Sequence, residues 1–368
     1  MCIRDSMRSG QSDTPHTGGA LHLFASGLAQ HVVKADIASL YPSLMILHRL
    51  GPACDQLGAL LSLVERLTQR RLEHKRMLRS YAQESLEYGY HQALQAAMKL
   101  IINSAYGYMG AGSMALFADR DAADSVTRYG REVLDHVVGE LRARGMALIE
   151  ADTDGVYFAV PGDWSEAEER ALVADVAATL PALLRLEYEG RYAAMFSHEV
   201  KNYALLSYSG ELIVRGAAMR SSRSEPYGER FLRRALRALL EGNIVDIRHA
   251  YEETLSALRS RTISAADVAT RVRLSKTSDE YQRARRNREA AYEALLAAGR
   301  TTWTSGERVR FYRNQQGNHV WIPDEQENQP YSGKIPPGQQ CDFDVEYYLT
   351  LLTTSYACLL YTSDAADE

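Results

Sequence analysis

The stretch Asp36-Ile37-Ala38-Ser39-Leu40-Tyr41-Pro42-Ser43 joins an apolar run, Val32-Val33, to a turn of Ser, Leu, Tyr and Pro. A strand that ends in a carboxylate beside Ser39 and Leu40 can turn main-chain N–H groups toward phosphate oxygens while the acid holds a bridging cation. An aspartate capping a strand-to-helix turn, with Pro42 in the first helical turn, has the same local pattern. By itself the segment leaves both readings open. Two later segments bear on the choice: Lys99-Leu100-Ile101-Ile102-Asn103-Ser104-Ala105-Tyr106-Gly107 and Asp152-Thr153-Asp154. Phosphoryl transfer on a nucleotide needs carboxylates on rigid strands for two divalent ions and a cationic helix over the triphosphate. The three segments supply those parts.

Helical spacing places Gln95, Lys99, Asn103 and Tyr106 on one face. Leu100, Ile101 and Ile102 make the other faces apolar, so this helix is expected to be substantially buried and its polar stripe to need a partner. Arg71 and Lys75 repeat the i, i+4 spacing on the preceding helix. Arg70 and Arg76 beside them suit a solvated basic face equally well. Asp152 and Asp154 lie two apart, on the same side of a strand unless the turn reorients one of them. Carboxylates crowded in this way repel, and a divalent cation is the usual compensation.

In this order and spacing the three segments resemble the A, B and C motifs of family B DNA polymerases. The resemblance covers Gly18-Gly19 to about Tyr348. It implies catalytic roles for Asp36, Asp154 and Lys99, with two Mg2+ ions held by Asp36, Ile37 and Asp154 and with Asp152 as a supporting acid. Ser39, Leu40, Tyr41, Arg71, Lys75, Asn103 and Tyr106 would bind the incoming nucleotide. Of these, Arg71 and Lys75 would grip the β- and γ-phosphates, and the Tyr41 ring would fill the space a 2′-hydroxyl needs. Gly107, Lys201 and Tyr203 would meet the primer–template, with Gly107 letting the chain turn closely past the template. Departures from the family pattern are Gly155 after the second acid, Glu150-Ala151 before the first, Val200 ahead of Lys201, and Gly216 after Arg215. Asp342 to Tyr348 resembles a segment near the end of the family's thumb.

Around these motifs the chain reads as α+β. Leu21 to Val33 suits strands, and Leu57 to Ser80 and Leu86 to Tyr106 suit an antiparallel helical hairpin. Asp121 to Arg144 suits a further helix, Met146 to Val160 a β-hairpin with the acids at its tip, and Tyr203 to Arg215 a second strand pair. From Glu229 onward the pattern is amphipathic and helical, stopped at Gly242-Asn243. The resemblance implies an antiparallel palm sheet (7–54 and 111–222), a fingers insertion (55–110) and a mainly helical thumb (223–357), truncated. Residues 1–6 and 358–368 resemble translated sequencing-adapter ends and read as scars, so the natural sequence is expected to be cut at both ends, without the family's N-terminal exonuclease region.

The 368 residues, 46% hydrophobic and 24% charged, allow two or three subdomains with real cores. No apolar run reaches membrane-spanning length, so a cytoplasmic protein is expected, nucleoid-associated in a bacterium or archaeon. The net charge of −5 does not announce a nucleic-acid binder, although acidic metal ligands offset basic grooves in such a sum. Four cysteines without a Cys-x-x-Cys pair indicate neither a zinc knuckle nor a disulfide framework. The expected partners are a DNA primer–template and deoxynucleoside triphosphates, without a membrane; any accessory replication factors are unnamed by the sequence. The rivals are another two-metal palm enzyme, such as an RNA-templated polymerase, and a fragment that binds primer–template without catalysis. Tyr41 and the Lys99 to Gly107 helix argue against an RNA-templated enzyme.

Overall fold

Alternation decides the course of the strand that carries Asp36. In Gly27–Ile37 (β2), Val33, Ala35 and Ile37 are fully buried, while Lys34 and Asp36 project from the opposite face. The computed structural model describes residues 18–112, 115–217, 219, 225–283, 288–323 and 341–360. The expectations for residues 1–6, 7–17 and 361–368 lie outside them. The chain divides into two compact units. One comprises the residues to Ala25 with His31–Arg191, the other Ser26–Gln30 with the residues from Tyr192 onward.

In the first unit Leu21–Leu23 (β1), Ala147–Asp152 (β3) and Gly155–Ala159 (β4) join β2 in the order β1-β3-β4-β2, every pair antiparallel. Asp36 stands opposite Gly155, and Leu21 opposite Asp152. Helices cover the core face. Arg120–Ala143 turns Leu134, Val137 and Leu141 onto Val33, Ile37 and Phe158, and Glu166–Ala177 adds Leu172 and Val176. Burying such side chains stabilises by about 1.5–3 kcal/mol each.

The remaining helices of this unit, in chain order, are Leu40–Leu47 (α1), Ala59–Met77 (α2) and Leu86–Met109 (α3), with Arg120–Ala143 as α4 and Glu166–Ala177 as α5. A second core of Met45, Leu60, Val64, Ile102, Ala105, Met109, Ala123 and Val126 ties α1 to α4 together. The start of α4 is fastened twice by one side chain: Asp119 accepts from Ala122 N at 3.0 Å and from Ala53 N at 2.8 Å. Helix α3 starts at Ser85, whose hydroxyl accepts from Tyr88 N.

The expected burial of α3 is corrected by the structure. Only Ile102, Ala105 and Met109 are buried, whereas Leu100 is 71% and Ile101 49% exposed. Successive helical residues point about 100° apart, so one narrow seam takes just one of three consecutive apolar side chains.

In the second unit the later part of Leu186–Glu199 (β5) pairs with Asn202–Leu206 (β6), and β6 with Leu212–Arg215 (β7), as an antiparallel meander. Pro226–Leu240 (α6) packs through Tyr227, Phe231 and Leu236 against this sheet and Ile244–Arg259 (α7). A mainly helical C-terminal part is only a partial account. Thr270–Arg273, Arg308–Arg313 and His319–Ile322 form a separate three-stranded antiparallel sheet. It closes over Tyr281, Tyr292 and Trp303.

Candidate active site

Asp36 occupies the penultimate position of β2, on the face away from the core. Asp154 follows the end of β3 in the two-residue link to β4, so the strand alternation that would align it with Asp152 stops there. Thr153 lies between the acids with φ at +53°, a left-handed conformation that is costly for a β-branched residue. It is held there by its N–H on Ala20 O at 2.9 Å and by its hydroxyl on Asp152 Oδ1 at 2.9 Å. Ile37 N donates to Asp154 O at 2.7 Å, which fixes Asp154 next to the end of the Asp36 strand. An added Cβ at Gly155 would sit 3.1 Å from Asp36 Oδ1, so the glycine leaves room for that carboxylate.

Beyond Asp36 the chain turns at Ser39, whose φ of 56° and ψ of 46° are left-handed. Its hydroxyl does not cap α1; it accepts a hydrogen bond from Arg71 Nη1. Leu40 is buried at the first position of α1, and Tyr41 beside it stacks obliquely on Tyr106 of α3, the ring centroids 4.5 Å apart. Two glycines shape the Tyr41 slot. A Cβ at Gly19 would lie 2.6 Å from the Tyr41 hydroxyl, and one at Gly130 would lie 3.0 Å from its ring.

These elements enclose a cavity of about 510 Å³. Its lining includes Asp36 and Asp154 together with Arg71, Lys75, Lys99, Asn103 and Tyr106 from the helical hairpin. Ala38, Ser39, Leu40, Tyr41 and Pro42 also line it, as do Thr153, Glu187 and Glu189. Lys75 Nζ is 2.6 Å from Glu187 Oε2, and Lys34 Nζ is 2.6 Å from Glu189 Oε2.

Electrostatics inside the cavity are unfavourable to its own acids. Burial, then Asp154 and Glu189, push the Asp36 carboxyl up to about 7, against the opposing pull of Lys34 and Lys99. Burial and Asp152 likewise raise Asp154. Burial and the neighbouring Tyr41 raise the Tyr106 hydroxyl to about 12. Arg71 is only 9% exposed, and burial lowers its pKa while Glu187 raises it. Two repelling, half-buried carboxylates are hard oxygen donors of the kind magnesium takes, completed by substrate phosphates rather than a full protein cage. Among the described residues no group of three or more His, Cys, Asp or Glu converges into a complete metal centre. The pair fits a hard divalent cation.

Several expected residues fall elsewhere. Asp152 is not among the residues that line the cavity, and its charge raises the pKa of Asp154 and of Tyr41, which are. Gln95 bonds Gln92 instead of facing the cavity. The chain makes no turn at Gly107: α3 runs through it to Met109, and an added Cβ there would meet nothing. Lys201 and Tyr203 belong to the second unit, Lys201 in the tight link between β5 and β6 with φ at +64°. Gly216 has a local cause: with φ at +98°, its Cβ would come within 2.3 Å of Lys201 O and 2.6 Å of Asn202 Cα. Sequence reading missed Glu187 and Glu189 altogether. Their signal was an acid at alternate positions of Leu186-Glu187-Tyr188-Glu189, the start of β5.

The fold is an antiparallel sheet with an inserted helical hairpin facing a pair of carboxylates, and comparison with known proteins gives the family. The model of DNA polymerase family B matches residues 53–362, and the chain belongs to that family. It is 33% identical over 225 residues to DNA polymerase 1 of Pyrococcus abyssi, covering 55% of this chain and 29% of that protein. It is 29% identical over 293 residues to a DNA polymerase of Pyrococcus glycovorans, covering 73% of this chain and 38% of that protein. The chain thus spans only about a third of the length of these relatives. Its fold is similar to the structure of the family B DNA polymerase from Pyrobaculum calidifontis, with a TM-score of 0.65 at 19% identity over 96% of this chain and 47% of that one.

Proposed function

We propose that this chain carries the catalytic core of a template-directed DNA polymerase, adding deoxynucleotides to a primer 3′-hydroxyl. The observation that carries the reading is one cavity lined by Asp36, Asp154, Tyr41, Arg71, Lys75, Lys99, Asn103 and Tyr106. In this reading residues 7–54 and 111–222 form the palm, 55–110 the fingers and 223–357 the thumb. Asp36, Asp154 and the Ile37 carbonyl would hold two Mg2+ ions, with Asp152 in support. Bound there, the ions would lower the pKa of the primer 3′-hydroxyl and stabilise the pentavalent transition state and the leaving pyrophosphate.

The chain's own residues do the positioning. Arg71, Lys75 and Lys99 bring cations to a triphosphate, and Ser39 and Leu40 offer main-chain N–H groups at a helix start. Tyr41 lies under the sugar, its ring backed by Tyr106 and its slot kept clear by Gly19 and Gly130. Asn103 and Tyr106 face the nucleotide, while Gly107, Lys201 and Tyr203 meet the primer–template. The substrates are then a DNA primer–template and deoxynucleoside triphosphates. Among the described residues no helix is long and apolar enough to cross a membrane. Primer extension by the purified chain, run beside a primer–template binding assay, tests the reading. Extension supports it, and binding without extension favours a non-catalytic DNA-binding fragment.

A further inference from the structure

The cavity's acids outnumber its cations. Asp36, Asp154, Glu187 and Glu189 face Arg71, Lys75 and Lys99, an awkward balance for a site that must admit a polyphosphate. Two of the acids are accounted for by the metal reading. Glu189 pairs with Lys34, which comes from the same strand as Asp36. Glu187 differs, because it is paired across the cavity with a residue of the helical hairpin. Its Oε2 lies 2.6 Å from Lys75 Nζ, with both side chains about two-fifths exposed. The same carboxylate acts on Arg71, one helical turn before Lys75 on α2.

Arg71 itself is incompletely satisfied. One Nη donates to the Ser39 hydroxyl, while its Nε is buried and bonds to nothing among the described residues. A buried guanidinium with a spare donor is arranged for an anion. Glu187 and Ser39 therefore occupy, between them, the oxygen positions that an anionic ligand of Arg71 and Lys75 would fill.

We propose that Glu187 is a resident counter-ion: its carboxylate stands in for a phosphate on Lys75, and a polyphosphate binds by displacing it. This deepens the phosphate-gripping reading of Arg71 and Lys75 and rests on it. Displacement leaves Glu187 without its cation, so each binding event gives up an existing ion pair. Glu187 thus sets how tightly the site holds nucleotide, as a positioning residue on Lys75.

The test is calorimetric titration of inorganic triphosphate into the full chain without divalent ions, paired with deoxynucleotide KM in primer extension. Glu187→Gln preserves volume and a hydrogen-bonding tip. It is expected to tighten triphosphate binding and lower KM about two- to fivefold, the span of one partly exposed ion pair. The gain should shrink as salt screens the pair. Lys75→Met should weaken binding, and adding Glu187→Gln to it should then gain clearly less than Glu187→Gln gains alone. Unchanged or weaker binding by Glu187→Gln, with Lys75→Met still damaging, overturns the counter-ion role alone. A neutral Lys75→Met overturns the phosphate-site reading beneath it as well.

Discussion

Tyr41 has a tightly specified setting for a residue in the first turn of a short helix. Its ring is backed by Tyr106, and two glycines stand where any side chain would displace it. If the ring excludes a 2′-hydroxyl by volume, Tyr41→Ala should raise ribonucleotide incorporation far more than it lowers deoxynucleotide incorporation. Gly130→Ala, which presses on the same ring, should shift the ratio in a milder way; competition between the two nucleotide types in primer extension measures both. An unchanged ratio in Tyr41→Ala returns the residue to the core.

Asp36 makes a second residue-scale prediction. Its folded carboxyl titrates at about 7 against an ordinary 3.8. A raised acid is stabilising while protonated, so this contribution is full below about pH 4 and is lost as pH rises through 7. In a chelator this contribution should therefore be lost between about pH 4 and pH 7. Solvent screening of the partly exposed carboxyl holds the effect to about 1–2 kcal/mol. Asp36→Asn should flatten that slope, leaving the smaller share from the likewise raised Asp154, in denaturation measured across the pH range, and added Mg2+ should oppose it in the native chain.

At the scale of elements, the hairpin and its acids were legible because each carried a periodic signal: the α2 stripe through Leu60 and Val64, and the alternation around Asp152-Thr153-Asp154. Depth of burial was not legible for α3. Leu100, Ile101 and Ile102 are equally apolar, and only packing against α2 and α4 singles out Ile102. Ile102→Ala should then cost about 2–4 kcal/mol, whereas Leu100→Gln should stay within about 0.5 kcal/mol in urea unfolding. Glu187 and Glu189 escaped notice because a strand's acids gain meaning only from the hairpin placed opposite them. Gly216 was visible as a departure, but its reason is a close approach of the Lys201-Asn202 backbone that sequence does not display. Gly216→Ala should cost more than about 2 kcal/mol, since both its positive φ and its contacts forbid a side chain.

Across the whole molecule, the residues brought to the cavity come from four separated stretches: 36–42, 71–106, 153–154 and 187–189. The first three were marked by motifs, and their convergence depends on the antiparallel register that sets Asp36 opposite Gly155. The separate sheet of the second unit was not foreseen. Its strands are short, and Arg308–Arg313 reads as a basic run as readily as a strand. The central claim is that Asp36 and Asp154 form the reacting centre of this cavity. Its most direct measurement is primer extension by the full chain in Mg2+, compared with Asp36→Asn and Asp154→Asn, alongside primer–template affinity. Expected are extension by the native chain, loss of at least about a hundredfold in either variant, and nearly unchanged DNA binding. Extension that persists in Asp154→Asn would contradict the claim.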